Sequence, residues 1–134
     1  MMQYWLLKTE PTTYSFENLK KDKKTNWNGI RNFQARNFLK QMEVGDTALI
    51  YHSGEQKSVV GVARVIKEAY LEVEDWVQVD LEYVEPLKKP VTLAQIKSCN
   101  ELKNIHLVRQ GRLSTMPLTK EQFKLIYQQS LLKN

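Results

Sequence analysis

Cysteine and histidine are scarce in this chain of 134 residues, and their scarcity excludes several kinds of site. Cys99 is the single cysteine, and His52 and His106 are the only histidines. One cysteine cannot form a disulfide within the chain, and three residues at these scattered positions do not form the spaced ligand set of a zinc site. We therefore expect no metal and no cofactor. Cys99 is expected to be a small buried or half-buried residue, because no histidine lies near it in sequence to activate it.

Long apolar runs and glycine-rich phosphate loops are missing as well. No apolar run approaches the roughly 20 residues needed to span a membrane. The N-terminal segment MMQYWLLKTEP lacks a basic region followed by a cleavable apolar core. The sequence also contains neither G-x-G-x-x-G nor G-x-x-x-x-G-K. We expect an intracellular, cytoplasmic protein with no membrane partner, and a fold other than a doubly wound nucleotide-binding sheet.

Catalytic constellations are equally hard to find. His52 and Ser53 are adjacent, but neighbouring side chains on a strand point to opposite faces, so His52 could not easily serve Ser53 as a base. Nothing in the sequence brings two of the candidate carboxylates together as acid and base: Glu10, Glu55 and Asp80. The sequence favours binding over catalysis. An enzyme that acts on a base or nucleotide is the weaker alternative.

The length and charge indicate what the chain binds. With 42% hydrophobic residues, 134 residues suit one domain spanning 1–134 with its own core. The net charge of +5 attracts polyanions, with nucleic acid as the first candidate and a membrane surface as the competitor. The lysines at 20, 21, 23 and 24 have no aromatic or leucine anchors next to them, unlike an interfacial helix. They are interpreted first as a solvated loop and second as phosphate contacts.

Apolar periodicity and capping signals predict an α+β domain. Strands are predicted from short or alternating apolar runs, and helices from caps and i, i+3, i+4 spacing. The predicted strands are Tyr4–Lys8, Thr47–Tyr51, Val59–Ile66 and Val77–Tyr83, with a strand–turn–strand at Leu107–Leu113. Predicted helices follow Ser15, Thr92 and Thr119, and a longer one covers Asn32–Met42. Because strands and helices do not alternate regularly, we expect a small, strongly curved sheet flanked by helices.

The twelve residues from Trp27 to Phe38, WNGIRNFQARNF, combine two arginines, three asparagines, a glutamine and three aromatic rings. These are the groups that stack a base, satisfy its edge and neutralise its phosphate. On a helix, the apolar stripe would be buried (Ala35, Phe38, Leu39 and Met42), and a cationic side would face outward (Phe33, Arg36, Asn37 and Lys40). An alternative places Trp27 and Phe33 in the core and leaves the arginines as solvated charges.

Five ordered segments resemble the EVE domain family. They are YWLLKTEP at Tyr4–Pro11, the W-x-G-I-R-N-F-Q-A-R-N-F run from Trp27, GD-x-x-L-I-Y-H-S at Gly45–Ser53, EAY at Glu68–Tyr70, and LVRQGRLS-x-x-P at Leu107–Pro117. This resemblance implies a PUA-like fold, a small β-barrel or pseudo-barrel with helices. It also implies a non-catalytic reader of modified bases, with 5-methyl- or 5-hydroxymethylcytosine in DNA as the proposed ligand. RNA is the alternative target, for an accessory of tRNA or rRNA modification, and a protein-interaction module for acidic partners is a further rival.

The resemblance also assigns roles to individual residues. The expected base pocket has Lys8, Thr9 and Glu10 as its floor, Trp27 as a wall, Arg31 and Asn32 reaching the base, and Tyr51, His52 and Ser53 at the mouth. Backbone phosphate is expected at Arg109, Gln110 and Arg112. The cationic side of the predicted helix, independently of the resemblance, adds Arg36 and Lys40 as phosphate contacts. The alternative makes Trp5, Tyr51 and Trp76 core residues, and Glu10 a helix cap or the partner of a lysine.

One segment departs from the family pattern. Family members often carry a longer acidic, proline-containing insertion after the EAY motif, whereas only Leu71–Asp75 separates Tyr70 from Trp76 here. This shortening is expected to remove part of the pocket rim.

Overall fold

The computed structural model describes residues 2–132. Within that range the chain forms six strands and five helices. In chain order they are β1 (Tyr4–Thr9), α1 (Phe16–Asp22), β2 (Lys24–Trp27), α2 (Phe33–Gln41), β3 (Thr47–His52), β4 (Ser58–Val73), β5 (Trp76–Thr92), α3 (Leu93–Ser98), α4 (His106–Arg109), β6 (Thr115–Leu118) and α5 (Lys120–Gln129).

All six strands belong to one mixed sheet, in the order β2-β5-β4-β3-β1-β6. Strands β1 and β3 pair in parallel, with Trp5 opposite Ala48, and the remaining neighbours are antiparallel. Strands β2 and β6 form the two edges, so the sheet does not close into a barrel. The predicted α+β class is confirmed.

Strands β4 and β5 are much longer than the sequence predicted, at 16 and 17 residues. Several register shifts interrupt their pairing, one of them where Gly61 lies opposite Pro86. Such irregularities bend a strand and increase its twist, which lets so long a hairpin follow a curved sheet. The hairpin ends at Val73 and Trp76, and Glu74 in its turn has a positive φ of 52°.

Local signals placed the helix starts correctly. Ser15, Thr92 and Thr119 each cap a helix and form a reciprocal capping box with the residue three positions later. In α2 the predicted stripe faces inward: Ala35, Leu39 and Met42 are buried, and Phe38 packs against the core. In α5 Ile126 is buried, whereas Phe123 and Tyr127 are half-buried. No helix among residues 2–132 is long and apolar enough to cross a membrane.

Two predicted elements were wrong. Leu107–Leu113 is not a strand–turn–strand: it contains α4, where Gln110 N donates to His106 O at 2.8 Å, and then a turn. The edge of β1 is taken by β6, which leaves this segment no strand edge there to pair with. The lysine-rich stretch is not all loop either, because Lys24–Trp27 pairs with β5 as a strand.

Two buried contacts fix the frame of the sheet. Asp46 is 1% exposed and accepts hydrogen bonds from Trp5 Nε1 at 2.9 Å, Gln3 N at 3.0 Å and Glu43 N at 2.9 Å. Gly61 in β4 lies against the Phe16 ring, whose atoms would stand only 2.1–2.4 Å from a Cβ at that position. The first contact ties β1 to the start of β3, and the second seats α1 on β4.

Candidate functional site

A cleft of about 370 Å³ lies where β1 ends and β2 runs past it. We call it the Trp27 cleft; its lining residues are Thr9, Thr13, Tyr14, Thr25, Asn26, Trp27 and Asn28. Thr9 is the last residue of β1, and the turn after it folds back so that Tyr14 N donates to Glu10 O at 3.0 Å. Residues distant in sequence therefore converge on one cavity.

Two aromatic rings stand at right angles in the Trp27 cleft. The centroids of Tyr14 and Trp27 are 6.3 Å apart and the ring planes meet at 85°. Trp27 is only 6% exposed, so its indole is a core residue that also borders the cavity. The Tyr14 hydroxyl donates to Asp22 Oδ2 at 2.8 Å, and burial is the main reason that the pKa of Tyr14 is raised. The phenol therefore stays neutral across the physiological range.

The remaining lining residues are neutral and polar. Three threonines and two asparagines line the same cavity as the two rings. Thr9 Oγ1 already donates to Tyr14 O at 2.7 Å, so its lone pairs remain as acceptors. Each asparagine amide offers two donor hydrogens and an acceptor oxygen. This combination matches a flat, uncharged ring with hydrogen-bonding groups on its edge.

Of the three residues predicted as the floor, only Thr9 lines the cleft. Lys8 Nζ donates to Gly111 O at 2.6 Å and lies 5.7 Å from the centroid of the Tyr51 ring. Partial burial lowers the pKa of Lys8. Glu10 is exposed; its carboxylate accepts from Ser53 Oγ at 3.3 Å and packs against Gly54.

The residues predicted at the mouth of the base pocket make contacts that stabilise the fold. Tyr51 is 3% exposed and His52 is 6% exposed. His52 Nε2 accepts from Phe16 N at 2.9 Å, which leaves Nδ1 to donate to Gln56 Oε1 at 2.8 Å. Ser53 N donates to Thr9 O at 2.9 Å. With both ring nitrogens engaged, His52 fixes the start of α1 rather than lining the cleft.

Arg31 and Asn32 also have partners within the protein. Arg31 Nη2 pairs with Glu72 Oε2 at 2.8 Å, and Gly29 N donates to Glu72 Oε1 at 3.0 Å. The hydrogen bond between Arg31 and Glu72 raises the pKa of Arg31 and lowers that of Glu72.

Asn32 Oδ1 accepts from Ala35 N at 2.9 Å and caps α2. We call Asn28–Asn32 the rim loop. In the structure Arg31 and Asn32 hold this loop in place, and the direct contact with a base that the sequence predicts stays a prediction.

The short connection at Leu71–Asp75 contributes to the rim. It supplies Glu72, which binds the rim loop at both Gly29 and Arg31. It also brings Trp76 against α2, where the Trp76 and Phe33 rings stack with centroids 5.2 Å apart at 27°. The short hairpin therefore braces the rim loop, and the loss of another part of the rim through the shortening stays a prediction.

Most of the predicted phosphate contacts lie on the surface. Lys40, Arg109 and Arg112 are exposed, and Arg36 is half-buried. Gln110 Nε2 donates to Gln34 Oε1 at 3.1 Å, while its Oε1 lies 2.7 Å from His106 Nδ1. Arg109 and Gln110 line an open groove of about 650 Å³ beside the start of α5. A phosphate role for these residues stays a prediction.

Sequence reasoning missed most of the cleft lining: Thr13, Tyr14, Thr25, Asn26 and Asn28. The available signal was weak. Thr25 and Trp27 are spaced as strand neighbours on one face, but the lysines before them suggested a loop. Tyr14 reaches the cleft only because the Glu10 turn reverses the chain.

An open, curved, mixed sheet flanked by short helices, with a small aromatic cleft at the ends of β1 and β2, defines an α+β domain of the PUA-like class. The EVE domain family matches residues 3–129. The chain belongs to the EVE domain family.

Its relatives extend over nearly the whole chain. Human thymocyte nuclear protein 1 is 34% identical over 164 aligned positions, which cover 94% of this chain and 73% of the human protein. A solution structure from Rhodopseudomonas palustris superposes with a TM-score of 0.92 at 38% identity, covering 99% of this chain and 97% of that one. The human THYN1 protein in complex with 5-methylcytosine-containing DNA superposes with a TM-score of 0.91 at 30% identity, covering 98% and 99%.

The length of one alignment shows a difference between this chain and its human relative. The alignment with human thymocyte nuclear protein 1 runs over 164 positions, more than the 134 residues of this chain. The human protein therefore carries inserted residues that this chain lacks.

Proposed function

We propose that this chain binds nucleic acid without catalysis and holds one modified base, 5-methyl- or 5-hydroxymethylcytosine, in the Trp27 cleft. The observation that carries the proposal is a neutral aromatic cavity on a chain of net charge +5. The structure of human THYN1 with 5-methylcytosine-containing DNA supports it. The target is DNA or RNA, and DNA is favoured by that relative.

The cavity suits a single base in size and chemistry. Its volume of about 370 Å³ falls at the lower end of the roughly 300–1,000 Å³ typical of small-molecule sites. A base removed from its stack can rest on the Trp27 indole, while Asn26 and Asn28 match its donor and acceptor edge. A 5-methyl group on the pyrimidine would add apolar surface against the rings.

Charge lies outside the cavity. No ionised side chain is among the lining residues, whereas Lys40 on α2, Arg109 at the end of α4 and Arg112 in the turn after it are exposed. Phosphate contacts give affinity without sequence information, and contacts with the base give selectivity. A protein that selects one base needs charged groups for affinity outside the cavity and neutral groups for selectivity inside it.

The same lining argues against an enzyme. Proton transfer or nucleophilic attack needs a tuned base beside the reacting atom. The titratable lining residue is Tyr14, whose pKa is raised, and both nitrogens of the nearest strand-end histidine, His52, are used in structural hydrogen bonds.

A fluorescence-anisotropy titration tests the proposal. Matched DNA and RNA oligonucleotides would carry cytosine, 5-methylcytosine or 5-hydroxymethylcytosine at one position, at two salt concentrations. We expect one modified base to bind more tightly than cytosine, with the ratio preserved at higher salt. Equal binding of all oligonucleotides, abolished by salt, would reduce the protein to a generic polyanion binder.

Asparagine variants provide the matched control. Asn28→Ala and Asn26→Ala remove exposed amides that line the cleft, and Asn37→Ala removes an exposed amide on α2 that does not. We expect the first two to lose the preference for the modified base and Asn37→Ala to keep it. Loss of preference in Asn37→Ala alone would place the base elsewhere.

A further inference from the structure

The Trp27 cleft does not account for the most exposed aromatic ring of the chain. Phe33 is 65% exposed, although it is the first residue of α2 and follows the rim loop directly. We call Phe33, Arg36 and Trp76 the Phe33 platform. Aromatic residues are enriched at binding interfaces, so a ring this exposed on a charged surface is a candidate contact site.

The Phe33 platform is held rigidly before any ligand arrives. Phe33 stacks on Trp76 with centroids 5.2 Å apart. The Arg36 guanidinium lies 4.9 Å from the Phe33 centroid and 5.4 Å from the Trp76 centroid, so it braces both rings at once. Its Nε is buried without a hydrogen-bond partner among the described residues, as expected for a nitrogen packed against ring faces. Little side-chain freedom remains to be lost on binding.

The charge around the platform favours nucleic acid. Arg36 has no carboxylate partner within residues 2–132. Its Nη1 makes only a long contact of 3.4 Å with Asp75 O. A guanidinium that flanks an open ring can take a phosphate while the ring takes the adjoining base. Arg31, 5.5 Å from the Trp76 ring, lies on the same side of the rim loop.

The distance to the Trp27 cleft is short. Phe33 lies five positions after Asn28, which lines the cleft, and five extended residues reach at most about 18 Å. Stacked bases repeat about every 3.4 Å along a strand. The platform is thus within a few nucleotides of any base held in the cleft.

We propose that the Phe33 platform stacks a second, unpaired base of the same strand, close to the base in the Trp27 cleft. This inference rests on the proposed function and deepens it, because it assigns the protein a single-stranded or locally opened target. A stacked base needs no particular identity, since every base has a π face. The platform therefore contributes affinity and strand geometry, and the cleft contributes selectivity.

An abasic scan combined with Phe33 variants tests the inference. The probe is a single-stranded oligonucleotide with one 5-methylcytosine, in which each neighbouring nucleotide in turn is replaced by an abasic site. For the unaltered chain, we expect one abasic position to weaken binding about tenfold. Phe33→Ala should bind the intact probe about tenfold less tightly and lose the response to that position, whereas Phe33→Tyr should restore both.

Val44→Ala is the matched control, because Val44 is 60% exposed in the turn after α2 and lacks a ring. It should leave the Kd and the abasic response unchanged. The inference is overturned if Phe33→Ala binds as the unaltered chain does, or if it still responds to the abasic site. It is also overturned if Phe33→Ala instead abolishes self-association in sedimentation, since a second copy would then occupy the platform.

The outcomes separate this inference from the proposed function. If the preference for the modified base depends on Asn28, but the Kd and the abasic response do not change in Phe33→Ala, only the platform is overturned. Absence of any preference in the unaltered chain would sink both.

Discussion

The Trp27 cleft and the Phe33 platform stand a few residues apart in the chain yet contrast in almost every physical respect. Trp27 is 6% exposed and faces a cavity lined by neutral groups, while Phe33 is 65% exposed and is braced by a guanidinium. One region borders a cavity, and the other lies open on the surface. The contrast teaches that a single motif rich in rings and arginines divides, when it folds, into a buried part beside a cleft and an exposed part on the surface.

Stability should show the contrast most strongly. Trp27→Ala empties a buried site in β2 and should lower the free energy of unfolding by about 3–5 kcal/mol, whereas Phe33→Ala should cost less than about 1 kcal/mol, since little of its ring is buried. Urea titration measures both. Equal destabilisation of the two variants would contradict the assignment of Trp27 as a buried ring and Phe33 as a surface ring.

Asn32 connects the two regions and should have an intermediate effect. Because its side chain caps α2, Asn32→Ala should lower the free energy of unfolding by about 1 kcal/mol, and Asn32→Asp should preserve most of it. Circular dichroism during thermal melting tests this. A stable Asn32→Ala variant that loses base preference would restore the direct role predicted from the sequence.

Salt dependence sharpens the comparison further. Arg36→Ala on the platform should lower the slope of log K against log salt by about 0.9 for duplex or 0.7 for single strands. Asn28→Ala in the cleft should leave that slope unchanged while reducing preference. Anisotropy titrations over a salt series measure both quantities, and a changed slope in Asn28→Ala would mean that the cleft also contacts phosphate.

The smallest effect is expected from the ion pair at the rim. Arg31 lowers the pKa of Glu72 below its usual 4.5, so Glu72 contributes stability above that usual value and loses it as the pH falls through the depressed folded pKa. The stability gap between the unaltered chain and Glu72→Gln should therefore be present at neutral pH and shrink on acidification. The gap is expected to be small because the pair is partly exposed. A gap that widens in acid would contradict this sign.

What the sequence predicted well was local. The caps at Ser15, Thr92 and Thr119 act over three residues, so their signals are complete within a short window. The buried side of α2 followed from spacing alone. The family segments then supplied the class of fold, which no single pattern could have done.

What the sequence predicted poorly depends on partners far along the chain. Lys24–Trp27 is a strand because β5 pairs with it, and His52 is structural because it meets Phe16, 36 residues away. The sequence motif predicts that Asn32 contacts a base, and the structure adds that its side chain caps α2 by accepting from Ala35 N. Polar residues at a site and polar residues that build the site look alike in sequence.

Gly61 sets how closely α1 packs on the sheet, and through α1 it affects the Trp27 cleft. The Phe16 ring occupies the space where any side chain at position 61 would begin, and Phe16 opens the helix that follows Tyr14. A methyl group there would force α1 away from the sheet and carry the tyrosine with it. The width of the Trp27 cleft thus depends on the absence of a side chain at Gly61, a residue that does not line the cleft.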